Sequence, residues 1–277
     1  MISLGFLQNW NWPEDGKPTV FGWYHIMWLI IMIVACVLSV HFFAKKHDKK
    51  IDDKFVFING AMLIAIEIFK QIFKGVANGH FDFDDIPFQF CSVPMYFAFV
   101  TPFIKNSKVK EAFFKFLASY GFLAGLAVMA YPDTVFNTEY IVMTIHTMIW
   151  HSSMVVMGVY LIVSKEYCKN IKELIPPFIV FMCVVSFAVI ANLIAYGIWF
   201  KNPGENLHGD FNLFYISPYY ENPIPVLGDI KEAVSFPLFF VCYLLAFFLG
   251  VALVWAIVLG IRKLIAHCKQ RKTEKVA

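Results

Sequence analysis

No charged residue interrupts the stretch SFPLFFVCYLLAFFLGVALVWAIVLGI, residues 235–261 of the 277-residue chain. About 20 apolar residues in a helix are enough to cross a hydrocarbon core of about 30 Å. Six earlier apolar segments reach this length, at residues 20–44, 55–76, 85–104, 112–131, 140–163 and 174–200. The chain is 59% hydrophobic and only 16% charged, which is more apolar than a soluble domain of this size can bury. We therefore predict an all-α, polytopic membrane protein in which residues 20–261 form a bundle of seven transmembrane helices.

Basic residues concentrate in alternate loops of this predicted bundle. Because cytoplasmic loops of membrane proteins are enriched in Lys and Arg, we expect residues 1–19 to be exoplasmic and the basic tail, residues 262–277, to be cytoplasmic. We also expect a multi-pass protein of the plasma membrane whose tail lies near anionic lipid and binds no nucleic acid. Eighteen of the 23 Lys and Arg residues support this orientation: Lys45, Lys46, Lys49, Lys50, Lys54, Lys105, Lys108, Lys110, Lys115, Lys165, Lys169, Lys172, Arg262, Lys263, Lys269, Arg271, Lys272 and Lys275.

The third apolar segment opens with an unusual stretch, DDIPFQFCSVPM, at residues 84–95. A lipid-facing helix has no use for Gln89, or for Cys91 between two prolines. Pro94 leaves a carbonyl group one turn earlier without its helical donor, and Ser92 adds a hydroxyl group. We therefore predict a polar pocket around Cys91 within the membrane.

Other spans also contain polar residues, which are costly in a bilayer and commonly functional. Glu67 and Lys70 are three residues apart, so they can form an ion pair on one helical face. His146 and His151 point about 140° apart around their helix, which argues against a shared metal ion, and we expect no metal site. These residues favour the exoplasmic half, as does His25. We expect an outward-facing cavity walled by spans one, two, three and five.

A thiol and an imidazole at similar depth suit acyl chemistry on lipids. A buried thiol needs a base to become a nucleophile, and either His146 or His151 could serve. Gln89 and Ser92 could then donate hydrogen bonds to the oxyanion. The chain lacks Gly-x-Ser-x-Gly, His-Glu-x-x-His and phosphate-binding glycine motifs, so serine hydrolase, zincin and nucleotide-driven mechanisms are disfavoured, and no cofactor is expected.

A second class of function stays open, namely a small-solute or ion transporter. Glu67 and Lys70, together with the buried histidines, could form an intramembrane charge relay. The sequence shows no repeat symmetry and no pair of corresponding broken helices, both of which are typical of transporters.

The order of several short motifs resembles that of the YwaF-like integral membrane family, which is related to the eukaryotic transmembrane protein 164 acyltransferases. The resemblance spans about residues 20–260. It implies a seven-span bundle that moves fatty acyl chains between phospholipids or lysophospholipids, with Cys91 as nucleophile and His151 as its partner. The residues that carry the resemblance are His25, Glu67–Gln71, Pro87–Ser92, Pro132–Asp133, Trp150–Ser152 and Asn212–Tyr215.

Overall fold

A computed structural model describes residues 11–13, 16–136, 140–200 and 209–274. Within these ranges the protein is a helical bundle without a named strand, which confirms the predicted all-α, polytopic membrane architecture. Six of its seven main helices are long and apolar enough to cross a membrane, and the third is shorter. The helices are α1 (Trp23–Phe42), α2 (Lys49–Asn78), α3 (Val93–Val100), α4 (Ser107–Ala130), α5 (Ile141–Ser164), α6 (Ile175–Ala195) and α7 (Phe236–Glu274).

The prediction of a full-length spanning helix at residues 85–104 is wrong. A 3₁₀ turn at Phe83–Asp85 is followed by irregular backbone, and α3 begins only at Val93. With the 3₁₀ turn at Thr101–Phe103, the helical part covers 11 residues, or about 16 Å. Proline explains the break: Pro87 disfavours helix at the residue before it, whereas Pro94 is tolerated in the first turn of a helix.

The helix ends nevertheless alternate between the two ends of the bundle, as seven membrane crossings require. Lys110 at the start of α4 contacts the Pro102 carbonyl oxygen at 3.2 Å and Asp53 of α2 at 2.7 Å, so the end of α3 and the starts of α2 and α4 share one end of the bundle. His47, which follows α1, contacts the carbonyl oxygen of Ser164 at 2.8 Å, adding the ends of α1 and α5 to that group. The side of the membrane on which this end lies stays a prediction.

Helix α5 occupies the interior of the bundle, packed against α1, α2 and α4. Close approach to α4 requires glycine: a Cβ atom on Gly125 would lie 2.6 Å from the His151 carbonyl oxygen, and one on Gly158 would lie 2.6 Å from Phe122. By contrast, α1 and α7 expose many large apolar side chains, as lipid-facing helices do. The central position of α5 is what buries Trp150 and His151.

Candidate functional site

Side chains from distant elements hold the irregular segment 86–92. The indole Nε1 of Trp150 on α5 donates a hydrogen bond to the Cys91 carbonyl oxygen at 3.0 Å. The Gln89 amide donates to the carbonyl oxygen of Asn212 at 3.0 Å. These bonds use backbone and side-chain groups that a broken helix would otherwise leave unpaired in the membrane. Segment 86–92 is therefore held in place by α5 and by the α6–α7 connection.

Cys91 lines a cavity of about 570 Å³, a volume in the usual range of about 300–1,000 Å³ for ligand sites. Apart from Gln89, Cys91 and two tyrosines, the lining side chains are apolar, so the pocket predicted as polar is mainly apolar. The walls come from four parts of the chain. They are Gln89–Cys91, the α4 residues Leu123, Ala124, Ala127 and Val128 with Tyr131 beyond, the connection residues Phe214, Tyr215, Ile224–Leu227 and Ile230, and the α7 residues Ala246 and Phe247.

These walls correct part of the expectation of a cavity between spans one, two, three and five. The third predicted span contributes Gln89–Cys91, but among the described residues α4, α7 and the α6–α7 connection line the cavity in place of spans one, two and five. The connection folds back because Asn192 on α6 pairs with the backbone of Leu213 in both directions, accepting from its N–H at 2.9 Å and donating to its carbonyl at 3.0 Å. Asn192 is fully buried, so this pair fixes the connection beside segment 86–92.

A cluster of ionisable side chains lies between α2 and α5. The buried carboxylate of Glu67 accepts hydrogen bonds from Lys70 and from Gln71, each at 2.7 Å. The first contact confirms the ion pair predicted from the spacing. The other carboxylate oxygen of Glu67 lies 3.8 Å from Nε2 of His146, a separation too long for a hydrogen bond. Glu67, Lys70 and His146 are thus brought together.

Trp150 connects this cluster with Cys91. The ring of His146 stacks on the indole, with centroids 5.3 Å apart, while the indole N–H binds the Cys91 carbonyl oxygen. Glu67 and Lys70 lie in the same cluster as the His146 ring. The cysteine therefore lies between an apolar cavity and a set of ionisable groups.

His151 is buried, and its ring is held in one tautomer. Its Nδ1 lies 2.8 Å from the carbonyl oxygen of Thr147, which can only accept, so Nδ1 carries the hydrogen. In the neutral ring, Nε2 then has a free lone pair. This nitrogen is buried and has no hydrogen-bond partner in the described part of the chain, and the same holds for Nε2 of His146. The unpartnered Nε2 is therefore a free hydrogen-bond acceptor, which is the geometry that a general base requires.

The structure does not bring His25 to Cys91. Its Nδ1 accepts a hydrogen bond from the Phe21 N–H at 3.0 Å, so its Nε2 donates to the Met129 carbonyl oxygen at 2.8 Å. Both nitrogens of this buried ring are used to join the start of α1 to the end of α4.

Asn212 and Ser92 lie beside the segment around Cys91. The Asn212 side chain accepts from the Ser217 N–H and donates to the Glu221 carbonyl oxygen, both at 3.0 Å, so it shapes the connection whose backbone binds Gln89. Ser92, the next residue after Cys91, is itself buried.

Sequence reasoning assigned no role to three residues that build this site. In the sequence, Trp150 stands out only as part of a Trp-His-Ser motif. Tyr215 lines the same cavity as Cys91. Gln71 donates to the carbonyl oxygen of Asp85 at 2.6 Å, joining α2 to the start of segment 86–92. Its spacing of four residues from Glu67 was the available signal.

These features define a polytopic membrane protein with a buried cysteine, two buried histidines and an apolar cavity. A family model for the TMEM164 family matches residues 20–258. The chain therefore belongs to the TMEM164 family. Comparisons with curated proteins and with solved structures found no match.

Proposed function

We propose that this protein transfers a fatty acyl chain from a phospholipid to a lysophospholipid through a thioester on Cys91. The observation that carries the proposal is the position of Cys91, which lines an apolar cavity and contacts Trp150 at the edge of an ionisable cluster. An acyl chain suits the cavity, while the reacting ester needs the polar groups. Membership of the TMEM164 family, together with the resemblance in the sequence, supports a reaction on membrane lipids.

In the proposed first step, the Cys91 thiol gives its proton to Nε2 of a histidine. The thiolate sulfur attacks the ester carbonyl carbon of the phospholipid and forms a tetrahedral oxyanion. The Ser92 hydroxyl and the second amide hydrogen of Gln89 are the candidate donors to this oxyanion. When the intermediate collapses, the C–O ester bond breaks, and the lysophospholipid oxygen takes the proton back from the imidazolium.

In the second step, the histidine takes the proton of a lysophospholipid hydroxyl group, and that oxygen attacks the thioester carbon. The C–S bond breaks, the new ester leaves, and the thiolate regains the proton. Water in place of the hydroxyl group gives hydrolysis by the same route, so the protein would then act as an acyl hydrolase. A polar concavity of about 440 Å³ adjoins the cavity, and its acidic lining, which includes Asp84, Asp210 and Glu221, suits the cationic end of a choline or ethanolamine headgroup.

We propose His151 as the base because its tautomer is fixed and its Nε2 is unpartnered. His146 is the alternative, because it stacks on Trp150 and lies near Glu67. If His151 is the base, His151→Ala abolishes acyl transfer and His146→Ala only lowers its rate. The reverse result assigns the base to His146.

Liposomes containing the purified protein, a phospholipid with a labelled acyl chain and an unlabelled lysophospholipid test the reaction. The wild-type protein is expected to produce labelled acceptor phospholipid, and Cys91→Ala is expected to produce none. Cys36→Ala, at a half-buried cysteine of α1, is the matched control and should keep the activity. Equal activity of wild-type and Cys91→Ala protein would contradict the proposal.

The transporter remains the second candidate, and the contact series Lys70–Glu67–His146 is the observation that favours it. Proton or solute flux into liposomes separates the two candidates. Flux that survives Cys91→Ala but is lost in Glu67→Gln would support the transporter and reject the thioester mechanism.

A further inference from the structure

A second concavity lies at the opposite end of the bundle from Cys91, between the end of α1 and the first half of α2. Its volume is about 610 Å³. The lining includes three lysines, Lys46, Lys50 and Lys54, all of them exposed. None of these ammonium groups has a carboxylate partner within the described ranges. The proposed acyl transfer uses no residue of this concavity, which we call the lysine groove.

The acidic residues nearest in sequence do not neutralise these lysines. Asp52 is buried and pairs with Lys165 at 3.0 Å. Asp53 pairs with Lys110 at 2.7 Å. Asp48 accepts the backbone N–H of Lys50 at 2.8 Å as the N-cap of α2 and has no ion-pair partner among the described residues, so it offsets at most one of the three positive charges. The lysine groove therefore has a surplus of positive charge.

The other residues that line the lysine groove are mainly apolar, and aromatic contacts hold two of them in place. The Phe55 ring stacks on Tyr160 of α5 with centroids 3.9 Å apart, and Phe43 lies 6.2 Å from Phe55. Ile58 continues this surface along α2 and is 53% exposed. From Lys50 to Ile58 the helix rises about 12 Å, so the cations lie at one end of the groove and an open apolar surface lies at the other.

We propose that the lysine groove binds an anionic phospholipid, with the phosphate among the three lysines and an acyl chain along Phe55 and Ile58. The unbalanced positive charge selects a headgroup with net negative charge. The apolar half distinguishes a lipid from a free anion, which would contact the lysines alone. The predicted orientation puts the lysines at the cytoplasmic surface, so the lipid comes from that leaflet.

Native mass spectrometry of the full chain in detergent tests the proposal, with phosphatidylglycerol and phosphatidylcholine of identical acyl chains as probes. The wild-type protein is expected to bind phosphatidylglycerol at least tenfold more tightly. The triple variant Lys46→Gln, Lys50→Gln, Lys54→Gln should lose this preference. A control with the same change in charge, Lys105→Gln, Lys108→Gln, Lys172→Gln, alters exposed lysines outside the groove and should keep it.

Three results would overturn the proposal: no preference in the wild-type protein, equal losses in both triple variants, or displacement of the lipid by millimolar inorganic phosphate. The second result would indicate diffuse surface charge, and the third a simple anion site. Ile58→Asp should weaken phosphatidylglycerol binding by about tenfold as well, and an unchanged affinity would contradict the acyl-chain contact. If the groove triple variant does not fold, the single Lys50→Gln variant should still lose a measurable part of the preference.

Discussion

Two buried carboxylates on α2, Asp52 and Glu67, have different surroundings. Asp52 accepts hydrogen bonds from the hydroxyl groups of Tyr160 and Ser164 and pairs with Lys165. Its partners all come from the end of α5, so the charge is fully compensated.

Glu67 lies four helical turns away, beside His146 Nε2, a buried nitrogen with no hydrogen-bond partner in the described structure. Buried polar groups are nearly always bonded, and those that are not call for an explanation. Both carboxylates are paired, Asp52 with Lys165 and Glu67 with Lys70. Within the described structure Glu67 also lies beside an unpartnered buried nitrogen, which is why the proposed function places chemistry there.

The largest effect on stability is expected at Asp52. Asp52→Ala leaves Lys165 and two hydroxyl groups without their partner, which should cost about 3–5 kcal/mol of unfolding free energy. Asp53→Ala removes a more exposed ion pair and should cost at most about 1 kcal/mol. Thermal unfolding in detergent compares the two variants, and similar midpoints would contradict the assignment of Asp52 to a structural network.

Close packing at Gly125 gives the next effect. Gly125→Ala puts a methyl group against the His151 carbonyl oxygen and should cost about 1–3 kcal/mol while it shifts α5. Gly75→Ala on α2 is the matched control, because the space around Gly75 is open. The control should be neutral or slightly stabilising in the same unfolding assay. A tolerated Gly125→Ala with full acyl transfer would show that the helix contact at His151 is not tight.

Substitutions in the Glu67–Lys70 pair test whether it affects stability, acyl transfer or both. Glu67→Gln and Lys70→Met each leave one charge uncompensated, so the double variant should be more stable than either single variant, by about 1 kcal/mol. Acyl transfer should be reduced in every variant that lacks Glu67. A double-mutant cycle measures the coupling, and strictly additive costs would mean that the two charges do not interact.

An effect on stability of similar size is expected at Trp150. Trp150→Phe keeps an aromatic ring beside His146 but removes the hydrogen bond to the Cys91 carbonyl oxygen, a loss of about 0.5–1.5 kcal/mol. Because that bond positions segment 86–92, the rate of acyl transfer should fall more than the stability does. A variant with unchanged kinetics would show that Cys91 is positioned without the indole.

The sequence predicts the bundle well because hydrophobic length is a local property of the chain. The break before α3 was also visible in principle, since Pro87 and Pro94 restrict the backbone locally. The cavity walls were not predictable, because they depend on the return of the α6–α7 connection through the Asn192–Leu213 pair. Likewise, nothing in the sequence shows that both nitrogens of His25 bind backbone groups.

The proposed mechanism requires the Cys91 sulfur to receive the acyl chain. Purified protein incubated with phospholipid and then digested should yield a Cys91 peptide that is heavier by one fatty acyl group. Neutral hydroxylamine should remove this group, as it does for thioesters, and Cys91→Ala protein should carry no such adduct on any cysteine. A Cys91 peptide that stays unmodified by phospholipids and by lipid-like electrophiles across neutral pH would contradict the thioester mechanism.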